Sequence, residues 1–211
     1  MILTTDDGSQ TLRHELFGEL YHSSRGAVGE AIHVYVSPLE AYYQTVQRPL
    51  RVFEVGFGSG LNALLTLQTK LNVDYHTIEF YPISMSTARG LQYSIQDYFL
   101  ELHQAPWGVR TQISENFSLT KYNDDLELFD FTSLTSSVDV IFFDAFAPDS
   151  QPTLWGERIM QSMNHLLVDG GILTTYCSKG VVKEALRASY FDVKRCEGAL
   201  GKRHMLIATK Q

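Results

Sequence analysis

The chain has 211 residues, of which 44% are hydrophobic and 19% are charged, and its net charge is −7. This length and composition predict one soluble globular domain with a sizeable core, and no apolar run is long enough to cross a membrane. The N-terminus has no basic stretch followed by an apolar stretch, so we expect no signal peptide and a cytoplasmic protein. The negative net charge argues against broad, non-specific binding to a nucleic acid backbone.

Apolar stretches and helical periodicity alternate along most of the chain. Candidate strands cover residues 51–55, 73–79, 109–113, 138–143, 171–177, 190–196 and 204–209. Candidate helices cover residues 60–70, 83–101, 124–130, 153–168 and 180–188. This alternation predicts an α/β fold with a parallel sheet covered on both faces. The last two strands are joined only by a short loop with two glycines, so we expect them to pair antiparallel.

The first 50 residues do not follow this alternation. They contain a polar turn at residues 21–26 and a predicted short strand, Val34-Tyr35-Val36. We interpret residues 1–50 as an N-terminal β extension or lid, and residues 51–211 as the main domain.

The first strand of the main domain runs into a glycine turn. Glu54 is followed by Gly56, Gly58 and Gly60, and a helical pattern starts at Leu61. A strand, a glycine turn and a helix in this order build a cofactor cradle. A dinucleotide fingerprint requires its third glycine where this chain has leucine. The acid-x-G-x-G-x-G form suits a cofactor without phosphate, whose ammonium group the acid can bind directly or through water. We therefore predict S-adenosylmethionine, with a plain tight turn as the alternative.

Acidic residues also follow the next two strands. The second strand ends at Glu79, where a carboxylate can bind the two hydroxyls of a ribose. Asp124 and Asp125 come after the third strand, where an acid can accept a hydrogen bond from the adenine amine. One of the two is alternatively the N-cap of the following helix. We favour Asp125 for the adenine contact.

The fourth strand ends in the sequence Asp-Ala-Phe-Ala-Pro at residues 144–148. Asp144 is expected beside the transferable methyl group, where it can orient an amine and take its proton, because only the neutral amine is a nucleophile. The aromatic Phe146 can stack on a base. The alternative is that Asp144 caps a turn. Methyl transfer depends mainly on positioning, and the seven histidines show no ligand spacing, so we expect neither a catalytic triad nor a metal site.

The C-terminal segment differs in charge from the rest of the chain. Residues 179–211 hold eight basic and three acidic residues, so they carry +5 and the first 178 residues carry −12. A local basic face can guide one structured RNA to a site, although a solvated helix face explains the same charges. Cys177 and Cys196 have neither metal nor redox spacing, which indicates reduced thiols in a cytoplasmic enzyme.

Together these motifs resemble the MnmC methyltransferase family, the methyltransferase domain of bacterial tRNA wobble-uridine enzymes. The resemblance runs from about residue 17 to the end of the chain. The N-terminal turn and short strand of the family match residues 20–36. Its E-x-G-F-G-T-G-L-N motif matches residues 54–62, and its F-E-x-x-P motif matches residues 78–82. Its D-x-F-A-P…W motif matches residues 144–148 with Trp155, and its G-F-G-x-K-R-x-M motif matches residues 198–205. The last two motifs are specific, whereas the glycine turn alone is not.

The resemblance implies a class I S-adenosylmethionine-dependent methyltransferase fold, Rossmann-like, with a seven-stranded, mostly parallel sheet and an antiparallel last strand. It implies methylation of the amine of 5-aminomethyl-(2-thio)uridine at the tRNA wobble position, with the anticodon stem-loop as partner and Asp144 as the catalytic or amine-orienting residue. The implied cofactor residues are Glu54, Gly56, Phe57, Gly58, Gly60, Asn62, Glu79, Phe80, Asp124 and Asp125. The implied substrate residues are Phe146, Pro148, Trp155, Lys202 and Arg203, the last two near the anticodon phosphates.

The chain departs from the family at two positions, because Asp124 and Ala145 stand where glycines are usual. Many members also carry a fused flavin oxidase domain that makes the amine. This chain ends at Gln211, so we expect a separate enzyme to supply the amine, or a different substrate. The alternatives are an aminopropyltransferase of the spermidine-synthase kind, which shares the sheet and the acid after the fourth strand, and a non-catalytic scaffold that binds RNA.

Overall fold

A computed structural model describes residues 1–93, 97–201 and 204–211 of the chain. The strands are β1 Ile2–Thr4, β2 Gln10–Leu12, β3 Leu50–Val55, β4 Val73–Ile78, β5 Thr111–Ser114, β6 Phe117–Tyr122, β7 Val138–Phe143, β8 Leu167–Thr175, β9 Phe191–Glu197 and β10 His204–Lys210. The α-helices are α1 Ala27–Ala31, α2 Ser37–Val46, α3 Leu61–Gln68, α4 Met85–Gly90, α5 Phe99–Gln104, α6 Glu157–Leu166 and α7 Gly180–Ala188. A π-helical turn, Ile32–Val36, joins α1 to α2, and 3₁₀ turns lie at Thr132–Leu134 and Pro152–Trp155.

Eight strands form the central sheet, in the order β5-β6-β4-β3-β7-β8-β10-β9. The middle strands β6, β4, β3, β7 and β8 are parallel to one another, and all six residues of β7 are buried, as expected of a strand covered on both faces. The chain builds outward from β3 in one direction and from β7 in the other. The switch point between β3 and β7 is where ligands bind in open α/β sheets.

The two faces of the sheet have separate apolar cores. One face packs against the N-terminal helices and α3, with Tyr35, Leu39 and Leu64 in its centre. The other face packs against α6 and α7, with Trp155 and Met160 in its centre. Helices therefore cover both faces, which confirms the predicted α/β fold class. Among the described residues, no helix combines the length and apolar character needed to span a bilayer.

The sheet has one strand more than predicted. The strand expected at residues 109–113 corresponds to β5, which pairs antiparallel with β6 at the edge of the sheet. The third parallel strand is β6, which the sequence pattern missed because Ser118, Thr120 and Lys121 are polar although they are buried. The predicted antiparallel pairing of the last two strands is confirmed, because β9 and β10 pair over seven residues.

Some helix predictions are wrong. The single helix expected at residues 83–101 is interrupted, since α4 ends at Gly90 and α5 begins at Phe99. The helix expected at residues 124–130 is a turn. The helix expected at residues 153–168 begins as a 3₁₀ turn, and α6 starts after Gly156. Helices at 60–70 and 180–188 are confirmed within two residues of their bounds as α3 and α7.

The short strand predicted at Val34-Tyr35-Val36 is also wrong, because these residues belong to the π-helical turn. All three side chains are buried against the sheet. Before β3, the β structure consists of the hairpin of β1 and β2 and an isolated antiparallel bridge between Arg13 and Leu20. Residues 27–46 are helical and share a core with the sheet, so this part of the predicted extension packs as an integral layer of the main domain.

Candidate active site

A cavity of about 440 Å³ opens at the carboxyl ends of β3, β4 and β7. This is the size of a small-molecule site, and it lies at the switch point of the sheet. Its floor consists of the glycine turn after β3 and the residues that follow β4 and β7. Its walls come from residues 17–23 and residues 144–154, which are far apart in sequence.

The glycine turn exposes its backbone to this cavity. Gly56, Gly58 and Gly60 have φ angles of 90°, 51° and 75°, a region that disfavours side chains. A Cβ atom on Gly56 would lie 2.8 Å from the carbonyl oxygen of Asp144, and one on Gly58 would lie 2.9 Å from Cδ1 of Tyr21. Gly56 and Gly58 line the cavity together with the buried side chain of Phe57, whereas Gly60 precedes α3. A ligand can therefore approach the backbone closely here.

Glu79 is held firmly at the end of β4. Its Oε2 accepts a hydrogen bond from the backbone N–H of Gly58 at 2.8 Å, and its Oε1 accepts one from that of Tyr81 at 2.7 Å. Burial raises the pKa of this carboxyl, and hydrogen bonds from the backbone of Tyr81, Gly58 and Phe80 oppose the rise. The neighbouring Phe80 is 52% exposed and also lines the cavity. Each carboxylate oxygen retains a lone pair for a ligand hydroxyl.

Asp124 and Asp125 line the cavity beyond β6. Oδ1 of Asp124 accepts a hydrogen bond from the N–H of Asp125 at 2.8 Å, and Oδ1 of Asp125 accepts one from the N–H of Glu127 at 2.9 Å. Because residues 124–130 form a turn, neither residue is the helix N-cap considered as an alternative. Both carboxylates remain available at the rim.

Glu54 lies behind the glycine turn and does not line the cavity. Its side chain is fully buried, Thr77 donates to its Oε2 at 2.8 Å, and its Oε1 has no hydrogen-bond partner among the described residues. Burial raises its pKa to about 8, and the charge of Asp144 adds to the rise. The glycine turn lies between this carboxylate and the cavity, and the contact with a ligand ammonium group, directly or through water, stays a prediction.

Asp144 stands at the carboxyl end of β7 with both oxygens engaged. The Tyr35 hydroxyl donates to Oδ1 at 2.6 Å, and Nδ2 of Asn62 donates to Oδ2 at 2.8 Å. Asn62 is buried in the first turn of α3, and its own Oδ1 has no hydrogen-bond partner among the described residues. The floor of the site thus combines a fixed carboxylate with a buried acceptor that can receive a further donor.

Aromatic side chains form one wall of the site. The ring of Phe146 lies 5.0 Å from that of His14, 5.2 Å from that of Phe17 and 5.3 Å from that of Tyr21, measured between centroids. Burial lowers the pKa of His14, which accepts through Nδ1 from the backbone N–H of Phe17 and so takes part as a neutral ring. The sequence patterns identified Phe146 but neither His14 nor Phe17, whose segment has no regular periodicity.

The two walls are joined by Glu19. Its carboxylate accepts hydrogen bonds from the hydroxyl of Ser150 and from the backbone N–H of Ala147. His22, a few residues later, also lines the cavity. The N-terminal segment is thus bonded to the loop that follows β7, and a lid at this position stays a prediction.

Two of the predicted substrate residues that the structure describes do not line the cavity. Pro148 and Trp155 are buried and do not line it. The indole nitrogen of Trp155 donates to the carbonyl oxygen of Phe146 at 2.8 Å, and its ring lies 4.9 Å from that of Phe143. Trp155 therefore supports the Phe146 loop from the core side, and its contact with a substrate stays a prediction. Lys202 and Arg203 lie outside the described residues.

The cavity is strongly acidic. Its lining includes the carboxylates of Glu19, Glu30, Glu79, Asp124, Asp125, Glu127 and Asp144. None of the described residues that line it is a lysine or an arginine. Such a surface favours an organic cation and disfavours a pyrophosphate.

Comparison with known proteins agrees with this geometry. Residues 89–211 match the model of a family described as S-adenosyl-L-methionine-dependent methyltransferase. The tRNA 5-methylaminomethyl-2-thiouridine biosynthesis bifunctional protein MnmC of Burkholderia thailandensis is 28% identical over 96% of this chain and 34% of its own length. The protein of the same name from Methylobacillus flagellatus is 29% identical over 90% of this chain and 32% of its own length. The chain therefore spans about a third of the length of these curated relatives.

Solved structures show the same fold. MnmC2 from Aquifex aeolicus has a TM-score of 0.82 and 25% sequence identity, and the match covers 100% of this chain and 69% of that one. Spermidine synthase from Thermotoga maritima has a TM-score of 0.60 and 13% identity over 100% of this chain and 72% of that one. The second likeness is a likeness of fold alone.

Proposed function

The chain belongs to the S-adenosyl-L-methionine-dependent methyltransferase family, and from this membership we propose that it methylates the amine of 5-aminomethyl-(2-thio)uridine at the wobble position of tRNA. The observation that carries the proposal is the carboxylate of Asp144, fixed by two hydrogen bonds beside the glycine turn and facing an aromatic wall. The names of the curated relatives support the substrate, since they refer to 5-methylaminomethyl-2-thiouridine biosynthesis in tRNA.

The residues around the floor are suited to hold S-adenosylmethionine. We assign the backbone of Gly56 and Gly58 to its amino-acid portion, Glu79 to the ribose hydroxyls, and Asp125 or Asp124 to the adenine amine. When bound, this cofactor supplies a methyl group on a sulfonium cation. The acidic lining attracts both positive groups of such a ligand. The buried Oδ1 of Asn62 offers a further acceptor to a ligand donor.

We assign to Asp144 the deprotonation and orientation of the substrate amine. A primary amine is mostly protonated near neutral pH, and only its neutral form has a free lone pair. Asp144 takes one proton from the ammonium group and passes it to solvent. The neutral amine then turns and donates its remaining N–H groups to the carboxylate, which directs the nitrogen lone pair away from Asp144 and toward the methyl group. Because transfer from a sulfonium depends on in-line alignment, this orientation accounts for much of the rate gain.

The aromatic wall suits the base that carries this amine. Sequence-specific RNA recognition places unpaired bases on aromatic side chains. Phe146 is half-buried, and its ring packs against Phe17 and Tyr21. We assign Phe146 as the stacking surface for the uracil ring, with the anticodon stem-loop outside the cavity.

The proposed substrate implies a preceding reaction and a cellular location. A separate activity that generates the primary amine on the uridine would have to precede this step. A cytoplasmic location fits the two cysteines, Cys177 and Cys196, which do not form a disulfide.

Nucleoside mass spectrometry of tRNA tests the proposal directly. A strain that lacks this protein should accumulate 5-aminomethyl uridine or its 2-thio form, and the wild-type gene should restore the methylated nucleoside. The Asp144→Asn gene should not restore it, although the purified variant should still bind S-adenosylhomocysteine. An unchanged nucleoside profile in the deletion strain would exclude the tRNA substrate.

One observation favours a second candidate, because an acidic cavity also suits a polyamine. An aminopropyltransferase would use decarboxylated S-adenosylmethionine and a diamine such as putrescine. The likeness to spermidine synthase concerns the fold only and does not decide between the two. Incubation of the purified protein with both substrate pairs separates them, since spermidine formation without methyl transfer would support the second candidate.

A further inference from the structure

We propose that Tyr35 is a positioning residue for methyl transfer, which holds the Asp144 carboxylate in the orientation that receives the substrate amine; this inference rests on the proposed function. Tyr35 does not line the cavity, so it acts through Asp144 and does not touch the ligand. Its hydroxyl donates to Oδ1 at 2.6 Å across 109 positions of sequence.

The tyrosine itself is held rigidly. Its side chain is 2% exposed, and its ring lies 5.3 Å from that of Phe142 in β7, two residues before Asp144. Burial, together with the nearby Asp144 charge, raises the pKa of Tyr35 well above its ordinary value. The hydroxyl therefore keeps its proton and remains a donor at any pH at which the protein works.

Pro38 explains why Tyr35 lies at this point. In a regular α-helix the carbonyl of Val34 would accept from the N–H of residue 38, but proline has no N–H. The helix adopts a π turn, in which the N–H of Ser37 donates to the carbonyl of Ile32. The carbonyl of Val34 accepts a hydrogen bond from the hydroxyl of Thr174 in β8. This bond anchors the turn to the sheet one residue before Tyr35.

Among the described residues, Asp144 thus receives donors from two different elements. Tyr35 binds one carboxylate oxygen from the π turn, and Asn62 binds the other from α3. Bonds to both oxygens restrain the plane of the carboxylate, and loss of the Tyr35 bond weakens that restraint. Because small misplacements of reacting groups lower rates strongly, loss of the Tyr35 hydroxyl is expected to slow transfer without weakening cofactor binding.

Tyr35→Phe tests this role with little change in packing. We expect kcat for methyl transfer to fall about 10- to 100-fold, while the Kd for S-adenosylhomocysteine stays within about twofold. Tyr122→Phe is the matched control, because its hydroxyl bonds Nδ1 of His76 at 3.0 Å and its ring does not line the cavity. In an Asp144→Asn background the Tyr35 change should have no further effect, since both act through one group.

A crystal structure of Tyr35→Phe provides a readout independent of activity, in which the Asp144 side chain should have rotated from its wild-type position. Equal kcat in the wild type and Tyr35→Phe would overturn the inference. If the wild type transfers no methyl group to tRNA, the proposed function fails. In that case the crystal structure tests the positioning role by itself. An Asp144 carboxylate with the same orientation in Tyr35→Phe as in the wild type would overturn the inference.

Discussion

The backbone N–H of Gly58 donates a 2.8 Å hydrogen bond to Oε2 of Glu79. This bond joins the glycine turn after β3 to the residue that follows β4. Two features that the sequence presents as separate cofactor contacts therefore form one unit, because the acid assigned to the ribose also holds the turn in place. Changes at either residue should disturb the whole cofactor site.

Glu79→Gln should weaken binding of S-adenosylhomocysteine about tenfold or more. The amide replaces one of the two acceptor oxygens, so one backbone N–H loses its partner, and a hydrogen bond to a charged group contributes about 1.5–3 kcal/mol. Isothermal titration calorimetry measures the change. Glu115→Gln, at an exposed position outside the cavity, is the control and should bind like the wild type. Equal affinities for the two variants would remove Glu79 from the cofactor site.

Gly58→Ala should abolish measurable cofactor binding, and Gly108→Ala should not. Both glycines have positive φ angles, 51° and 73°, so each alanine introduces backbone strain of about 1–2 kcal/mol. Only at Gly58 would the new Cβ also meet a neighbour, since it would lie 2.9 Å from Tyr21, whereas no atom lies within 4 Å at Gly108. Titration of both variants with S-adenosylhomocysteine separates the contact from the strain, and similar affinities would contradict the assigned role of the turn.

Trp155→Phe should lower the stability of the protein, whereas Phe146→Ala should weaken its use of the tRNA substrate. Trp155→Phe leaves the carbonyl of Phe146 without its donor, so we expect the free energy of unfolding to fall by about 1–3 kcal/mol. Phe146→Ala removes the proposed stacking surface, which is worth about 1–3 kcal/mol per base, so KM for tRNA should rise about 5- to 150-fold. Urea denaturation and steady-state kinetics on both variants provide the measurements. A tRNA defect confined to Trp155→Phe would show that the tryptophan contacts substrate after all.

Glu54 should make the free protein less stable as the pH rises. Its pKa is raised from 4.5 to about 8 by burial, so the folded protein keeps this proton over a range in which the unfolded chain has lost it. The contribution of Glu54 to stability is fully present below pH 4.5 and is lost as the pH rises to about 8. Glu54→Gln has no such proton, so its unfolding free energy, measured in urea between pH 5 and pH 8, should fall less steeply than that of the wild type. Parallel curves for the two proteins would contradict the raised pKa.

The local sequence determined the class of the fold and the floor of the site. The strand, glycine turn and helix at residues 50–68 and the Asp-Ala-Phe-Ala-Pro segment predicted a methyl-donor site at the ends of neighbouring strands. The methyltransferase family and its cofactor are confirmed. The position of this site could be predicted because the carboxyl ends of parallel strands meet at one edge of a sheet. A residue that ends such a strand therefore lies at that edge, whatever its contacts are.

Only the tertiary structure decided which side chains surround that floor. Strand β6 was hidden because Lys121 is buried, with its ammonium group over the ring of Trp107 at 4.6 Å and bonded to the carbonyl of His103 at 2.8 Å. The structure also places two aromatic residues of one segment on different sides, since Phe146 faces the cavity and Trp155 faces the core. Tyr35 reaches Asp144 from 109 positions away. Periodicity sets the faces of helices and strands, but contacts between distant elements depend on how those faces pack, and no local pattern encodes that packing.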